Sequence, residues 1–458
     1  MKKIIIALLI MFSVYLRFVN LQYTSRFTRD ESSVIVSIKN IYQNKKITLI
    51  GPTDEKGIEV FSSLPFYVLL PFCIIFGFDP MVPAYATAFY GILTIICLGF
   101  ILKKTHWSYL IFILSIMFTP LLESSRWAWS PHFIPFLQIL SLLLLLSKLP
   151  YKYILMGLLM GLTIHLHWYA VFTAISILPI IFILDNKFKN LWHYSLGLLL
   201  SIMPFILFDI SHPPGLFITR MLYFGHQYTT QSSFFSNLWQ YTINTFKYFS
   251  GNQVYFAYIT LIITSISLVF YRTKNHVWLL PFIFQISGLS LISGRYSGHY
   301  ILPIAIFYIF WLYKNQNIFL IKILTLLLII FNLTNLHHII TYSDSNSNIK
   351  AQKEIINYIS QNQLNNPSFN LIVLQSPDKT TKGLRFKDQL KVKNILLKDD
   401  SEYQKIDTLY TISYQDKWSD LSQDPAYELN NFRNITPQEI KKIDNSDWII
   451  YKISRTNE

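Results

Sequence analysis

Four of the six residues in Arg26-Phe27-Thr28-Arg29-Asp30-Glu31 are charged, and the stretch lies just past a long apolar run. Two neighbouring carboxylates flanked by arginines are costly to hold beside a membrane unless they interact with something. A carboxylate there can take the proton from an attacking hydroxyl while a membrane-held donor is opened. A plainer role is also open to Asp30. It could N-cap a helix over Glu31 to Tyr42, whose Val34, Ile38 and Ile41 fall on one face. The two roles do not exclude each other.

The elements that must carry this stretch are membrane spans. Of 458 residues, 52% are hydrophobic, 16% aromatic and only 14% charged, and the apolar residues come in long runs. Ile4 to Asn20 follows Met1-Lys2-Lys3 and reads as a span with its basic end in the cytoplasm. It resembles a signal peptide, but no small-residue cleavage site follows, so it is expected to stay as the first span. Cys73 and Cys97 both lie in apolar segments and suggest neither a disulfide framework nor a thiolate metal site.

A polar loop containing Asp54, Glu55 and Glu59 runs on to Ser63. The next apolar run, Leu64 to Gly77, has 14 residues, against roughly 20 for a crossing. Further apolar segments lie near 81–102, 108–122, 132–147, 153–168, 169–184, 191–209, 254–271, 276–293, 299–313 and 318–340. If Leu64 to Gly77 lies in the interface or re-enters, the cytoplasmic loops collect Lys103-Lys104, Lys148, Lys152, Lys187, Lys189, Arg272, Lys274 and Lys314. If it crosses, all of these move outside, against the positive-inside tendency. The expected architecture is a polytopic α-helical membrane protein of about eleven spans, N-terminus in and C-terminus out, with a large first outer loop.

Charge also separates the tail. From Thr341 onward there are 16 Lys and Arg against 16 Asp and Glu, so the membrane part, with 23 cations and 9 anions, carries the whole +14. Such an excess points to anionic headgroups and orientation signals, with no nucleic acid implied. The tail shows a helix pattern at Ala351 to Ile359 and strand patterns at Asn370 to Gln375, Thr408 to Ser413 and Trp448 to Ile453. It reads as a small extracytoplasmic α/β domain over 343–458, after a membrane module over 1–342. It has no Gly-rich phosphate loop, metal-ligand cluster or nucleophile motif.

On this topology Arg126, Arg220, Lys247 and Arg295 are outer cations, against the trend. A lipid phosphate is the natural partner for Arg126, Arg220 and Arg295, while headgroup anchoring suits Lys247. Trp127 and Trp129 fit an interfacial belt. His226 lies in a long outer loop expected over 210–250, and His299 stands four residues after Arg295. His165 and His167 are two apart, roughly 200° on a helix, which suits packing better than a shared metal.

Four stretches together carry a resemblance. They are Asp30-Glu31 in the first outer loop, Leu64-Pro65-Phe66-Tyr67, Ser125-Arg126-Trp127-Ala128-Trp129-Ser130-Pro131, and Gly161-Leu-Thr-Ile-His-Leu-His-Trp-Tyr169. In order and topology they resemble bacterial relatives of the dolichyl-phosphate-mannose–protein mannosyltransferases and the lipid A aminoarabinose transferases, within the C-type glycosyltransferase superfamily. The resemblance implies an enzyme of the plasma membrane, working on the extracytoplasmic side with a polyprenyl-phosphate sugar donor. A hexosyl or pentosyl group would pass, with inversion, to an acceptor glycan, lipid or protein. At matching positions Asp30 becomes the catalytic base and Glu31 its neighbour. The chain departs from the family in having Ser63-Leu64-Pro65 where Pro-Pro or Gly-Pro is common. Proposed metal ligands of some relatives do not map; a divalent metal ion stays open, with Glu59 as candidate.

Two other classes compete. A transporter or flippase of lipid-linked sugars should carry ionisable residues near mid-membrane, whereas these spans are nearly free of acids. A ligase of lipid-linked polymers would share the donor type but not the early Asp-Glu pair.

Overall fold

The computed structural model describes residues 2–455 apart from 54–59, 103–104, 219–232, 272, 293–295, 344–347, 364–367, 375–382 and 445. In chain order come α1 (Lys2–Phe18), α2 (Leu21–Thr24), α3 (Arg29–Asn44), the strands β1 (Ile50–Thr53) and β2 (Val60–Ser62), α4 (Leu64–Phe76), α5 (Met81–Ile101), α6 (His106–Met117) and α7 (Thr119–Glu123). Then follow α8 (Ile134–Leu146), α9 (Lys152–Leu166), α10 (Ala170–Asp185), α11 (Phe188–Ser211), α12 (Phe234–Phe249), α13 (Val254–Phe270), α14 (Leu280–Ile292), α15 (Leu302–Lys314) and α16 (Phe319–Thr341). The tail holds α17 (Ile349–Gln363), β3 (Phe369–Leu374), α18 (Leu384–Val392), β4 (Thr408–Ser413), α19 (Trp418–Leu421), β5 (Glu439–Lys442) and β6 (Ile449–Ser454).

The chain divides into two compact units. One holds residues 1–19, 49–65 and 85–340; the other holds 20–48, 66–84 and 341–458. The second unit thus combines the tail with two earlier segments of the chain.

The first unit is a helix bundle. Every residue of α15 from Leu302 to Leu312 is buried, as befits a helix that is apolar all round. Helices α9 and α11 approach closely because Gly157 and Gly197 face each other's helix. A Cβ on Gly157 would lie 2.1 Å from the Tyr194 carbonyl, and one on Gly197 would lie 2.1 Å from the Ile154 carbonyl. Outward, α1 and α13 leave Leu8, Met11, Tyr15, Ile262, Val269 and Phe270 exposed, a surface suited to lipid.

Among the described residues, four helices are long and apolar enough to cross a membrane: Met81–Ile101, Phe188–Ser211, Lys274–Ile292 and Phe319–Thr341. The α12–α13 pair, bent by 103° at its break, would make a fifth. Six further apolar helices have 10–17 residues, shorter than the roughly 20 of a straight crossing. Residues 234–249, expected inside a long loop, form α12. The break after it is fixed by Gly251, at φ +66°, where a Cβ would meet the Phe331 carbonyl at 2.3 Å.

In the second unit the tail builds a four-stranded sheet in the order β3-β4-β6-β5, with β3 and β4 parallel and the other pairings antiparallel. Period-two alternation sends Leu371 and Val373 to one face, where Ile355 and Ile359 of α17 and Phe386 of α18 cover them. Ile372 and Leu374 face the other way, against Tyr403, Leu421 and Phe432. The edge strand β5, all exposed, carries Glu439, Lys441 and Lys442, charges that blunt an open edge. Residues 66–84, which include most of α4, also belong to this unit. The Tyr67 hydroxyl accepts from the Thr48 amide (2.9 Å) and donates to its carbonyl (2.8 Å). Beyond the other end, Lys353 holds Asp79 at 2.7 Å.

Candidate functional site

The charged stretch Arg26 to Glu31 turns the chain into α3. Thr28, not Asp30, is the N-cap: its hydroxyl accepts from the Asp30 amide at 3.4 Å. Glu31 completes a capping box, its Oε2 accepting from the Thr28 amide (2.5 Å) and hydroxyl (2.6 Å). Asp30 is left in the first turn, where the helix dipole favours an anion.

The two acids are therefore unlike. Asp30 is half-buried, within reach of solvent. Glu31 is 4% exposed, and its Oε1 is buried with no hydrogen-bond partner. Burial, and then the neighbouring Asp30, push the Glu31 carboxyl up to about 7. Glu31 is thus committed to shaping the helix start, while Asp30 stays partly exposed to solvent.

In the helix bundle, stretches far apart in sequence converge on one group of rings. Trp127 and Trp129 stack at 5.3 Å between centroids. The edge of His132 meets Trp127 at 4.6 Å, and that of His299 meets Trp129 at 4.1 Å. His167 lies 4.9 Å from His299, and Tyr169 and Tyr300 close the group at 4.5 Å from each other. His299 also shares a hydrogen bond with the Ser297 hydroxyl (2.6 Å), and His132 with the Trp127 carbonyl (2.8 Å). His165 instead bridges the Ser62 hydroxyl (3.0 Å) and the Ser201 carbonyl (2.8 Å), a packing link between β2, α9 and α11.

Arg126 turns its guanidinium onto the end of α1: Nη1 donates to the Leu16 carbonyl and Nη2 to that of Val19 at 2.7 Å. Arg17, fully buried, donates to Ser13 Oγ (2.8 Å) and to the Ile116 carbonyl near the end of α6 (3.4 Å). Two cations thus sit on the negative ends of two helices.

Sequence reasoning passed over Arg17, although a lone charge inside an apolar run was the available signal. It also passed over His132, whose spacings of five and three from the tryptophans gave less to see. Glu59, Arg220, His226 and Arg295 lie outside the described residues. Among the described residues no group of three or more His, Cys, Asp or Glu is placed to hold a metal ion.

No protein-family model and no curated protein sequence matches the chain. Its fold, however, has solved counterparts. The structure is similar over 99% of this chain and 98% of the other to ArnT from Cupriavidus metallidurans bound to undecaprenyl phosphate, with a TM-score of 0.60 at 10% identity. The apo form of the same protein gives 0.52 at 12% identity, covering 98% of each chain. At those identities the likeness is one of fold.

Proposed function

We propose that this protein is an inverting glycosyltransferase. It moves a sugar from a polyprenyl-phosphate donor to an acceptor hydroxyl at the outer face of the plasma membrane. The observation that carries the reading is the contrast within the acidic pair. Asp30 is reachable in the first turn of α3 and Glu31 is locked into the cap, within a fold shared with a protein crystallised with undecaprenyl phosphate.

In the reaction the Asp30 carboxylate takes the proton of the acceptor hydroxyl as that oxygen bonds to the anomeric carbon. The bond from that carbon to the phosphate oxygen breaks, and the phosphate leaves on its lipid. Attack from the face opposite the leaving group inverts the centre. Cations must meet the departing phosphate. Arg126 has both terminal nitrogens on α1, which favours an anchoring role, so Arg220 and Arg295 carry that part of the proposal. These steps use side chains of this chain alone.

A shared side for the residues after α1 and those after α16 is supported by the second unit, which contains both, and the outer side follows from the positive-inside tendency. An even number of crossings then separates them. From Phe66 onward α4 belongs to that unit too, and its 13 residues are few for a crossing, which favours a helix that does not cross.

Asp30→Asn tests the base. Thr28 supplies the cap, so thermal stability should stay near the parent while turnover falls roughly 100-fold or more. A fully active Asp30→Asn protein sinks the assignment.

A further inference from the structure

The start of α3 is held by residues more than 300 positions away in the chain. Arg26 forms an antiparallel bridge with Asn348. Gln352, fully buried on α17, donates Nε2 to the Phe27 carbonyl at 2.5 Å, and its own Oε1 accepts from Gln389 of α18 at 2.9 Å. The Ser32 hydroxyl, 1% exposed, donates to Asp388 Oδ2 at 3.0 Å. Further along α3, Lys39 donates to the Val392 carbonyl (2.7 Å) and to Asn394 Oδ1 (2.6 Å). Val392 ends α18, so the ammonium rests on the negative end of that helix. Around these bonds Phe27, Ile35 and Ile349 share one apolar cluster, with Val392 packed against it.

A tail merely hung from the last span would not need these contacts. Burying an amide, a hydroxyl and an ammonium costs free energy unless each is bonded, so the bonds are specific to this pairing. They also bracket one residue. Asp30 lies between Phe27 and Ser32, the two places where α17 and α18 grip the chain.

We infer that α17 and α18 form the positioning scaffold of the reactive carboxylate, with Gln352 and Asp388 as positioning residues for Asp30. This rests on Asp30 being the base. Misplacing a reacting group by about 1 Å can cost roughly 100-fold in rate, and the grips at residues 27 and 32 prevent that shift.

The test uses the full chain in lipid nanodiscs with an undecaprenyl-phosphate sugar as donor. Gln352→Leu and Asp388→Leu should lower kcat by roughly 10- to 100-fold while KM for the donor stays within about twofold, because the scaffold sets geometry rather than donor affinity. Amide hydrogen exchange over residues 30–36 should quicken in both. Asp388→Asn keeps an acceptor for Ser32 and should restore kcat. Should Gln352→Leu fail to fold, the two Asp388 variants decide alone. Unchanged kcat and exchange in Asp388→Leu, or equal losses in Asp388→Asn and Asp388→Leu, overturn the inference. Faster exchange over residues 30–36 in the two variants, together with a parent that transfers no sugar, supports the grip and removes Asp30's role instead.

Discussion

The residues around Asp30 and the rings around His299 both gather polar side chains at helix ends, yet they are held in opposite ways. At Asp30 the chain supplies buried hydrogen bonds from distant helices and leaves one carboxylate half-buried. At His299 the rings satisfy one another, edges on faces, with Ser297 and a main-chain carbonyl taking two of the imidazole nitrogens. A reactive group needs a rigid surround and an open side, which buried bonds around a partly exposed acid supply; the rings, most of them partly exposed as well, hold chiefly one another. We read the first region as working and the second as anchoring the loops of the bundle.

That contrast can be broken most sharply at Trp129. If the rings only anchor, Trp129→Ala should cost about 2 kcal/mol of stability, since a half-buried indole and its ring contacts with Trp127, His132 and His299 are lost. Turnover of the folded fraction should change by less than about threefold. Thermal unfolding and turnover measured on one preparation give both numbers. A Trp129→Ala protein with parent stability and turnover down by two orders of magnitude would make the ring group part of the working site.

A smaller effect is expected at Glu31. Its carboxyl lies above the ordinary 4.5, at about 7, so the folded state binds its proton more tightly than the unfolded chain does. The stabilisation is complete below about 4.5 and is lost as pH rises through 7. Glu31→Gln, which cannot ionise, should remove that part of the pH dependence between 4.5 and 7 and slow turnover less than Asp30→Asn does. Melting temperatures followed across that range check it; an unaltered pH profile in Glu31→Gln shows that Glu31 does not titrate there.

What the sequence made legible follows the range of the forces involved. Hydropathy places α5 (Met81–Ile101) and α16 (Phe319–Thr341) within a few residues of the expected 81–102 and 318–340, because each span is a local property of one apolar run. Alternation likewise locates β4 at Thr408–Ser413. Helix α12 was hidden because its buried face includes Asn237 and Thr245, which hydropathy counts as loop. The pairing of 20–48 with the tail was hidden for a different reason. Gln352 with Phe27 and Asp388 with Ser32 are contacts over more than 300 residues, made by ordinary polar side chains that carry no local pattern. Asp30 was legible as a charge out of place, whereas the cap at Thr28 depended on Thr28 and Glu31 bonding to each other.

The most direct test of the central claim follows the sugar itself. Purified protein in nanodiscs would be given an undecaprenyl-phosphate sugar of known anomeric configuration and a hydroxyl acceptor, with products read by NMR and mass spectrometry. The account predicts release of undecaprenyl phosphate and an acceptor glycoside of inverted configuration, with no nucleotide sugar required. A glycoside of retained configuration, or transfer only from a nucleotide sugar, would contradict it.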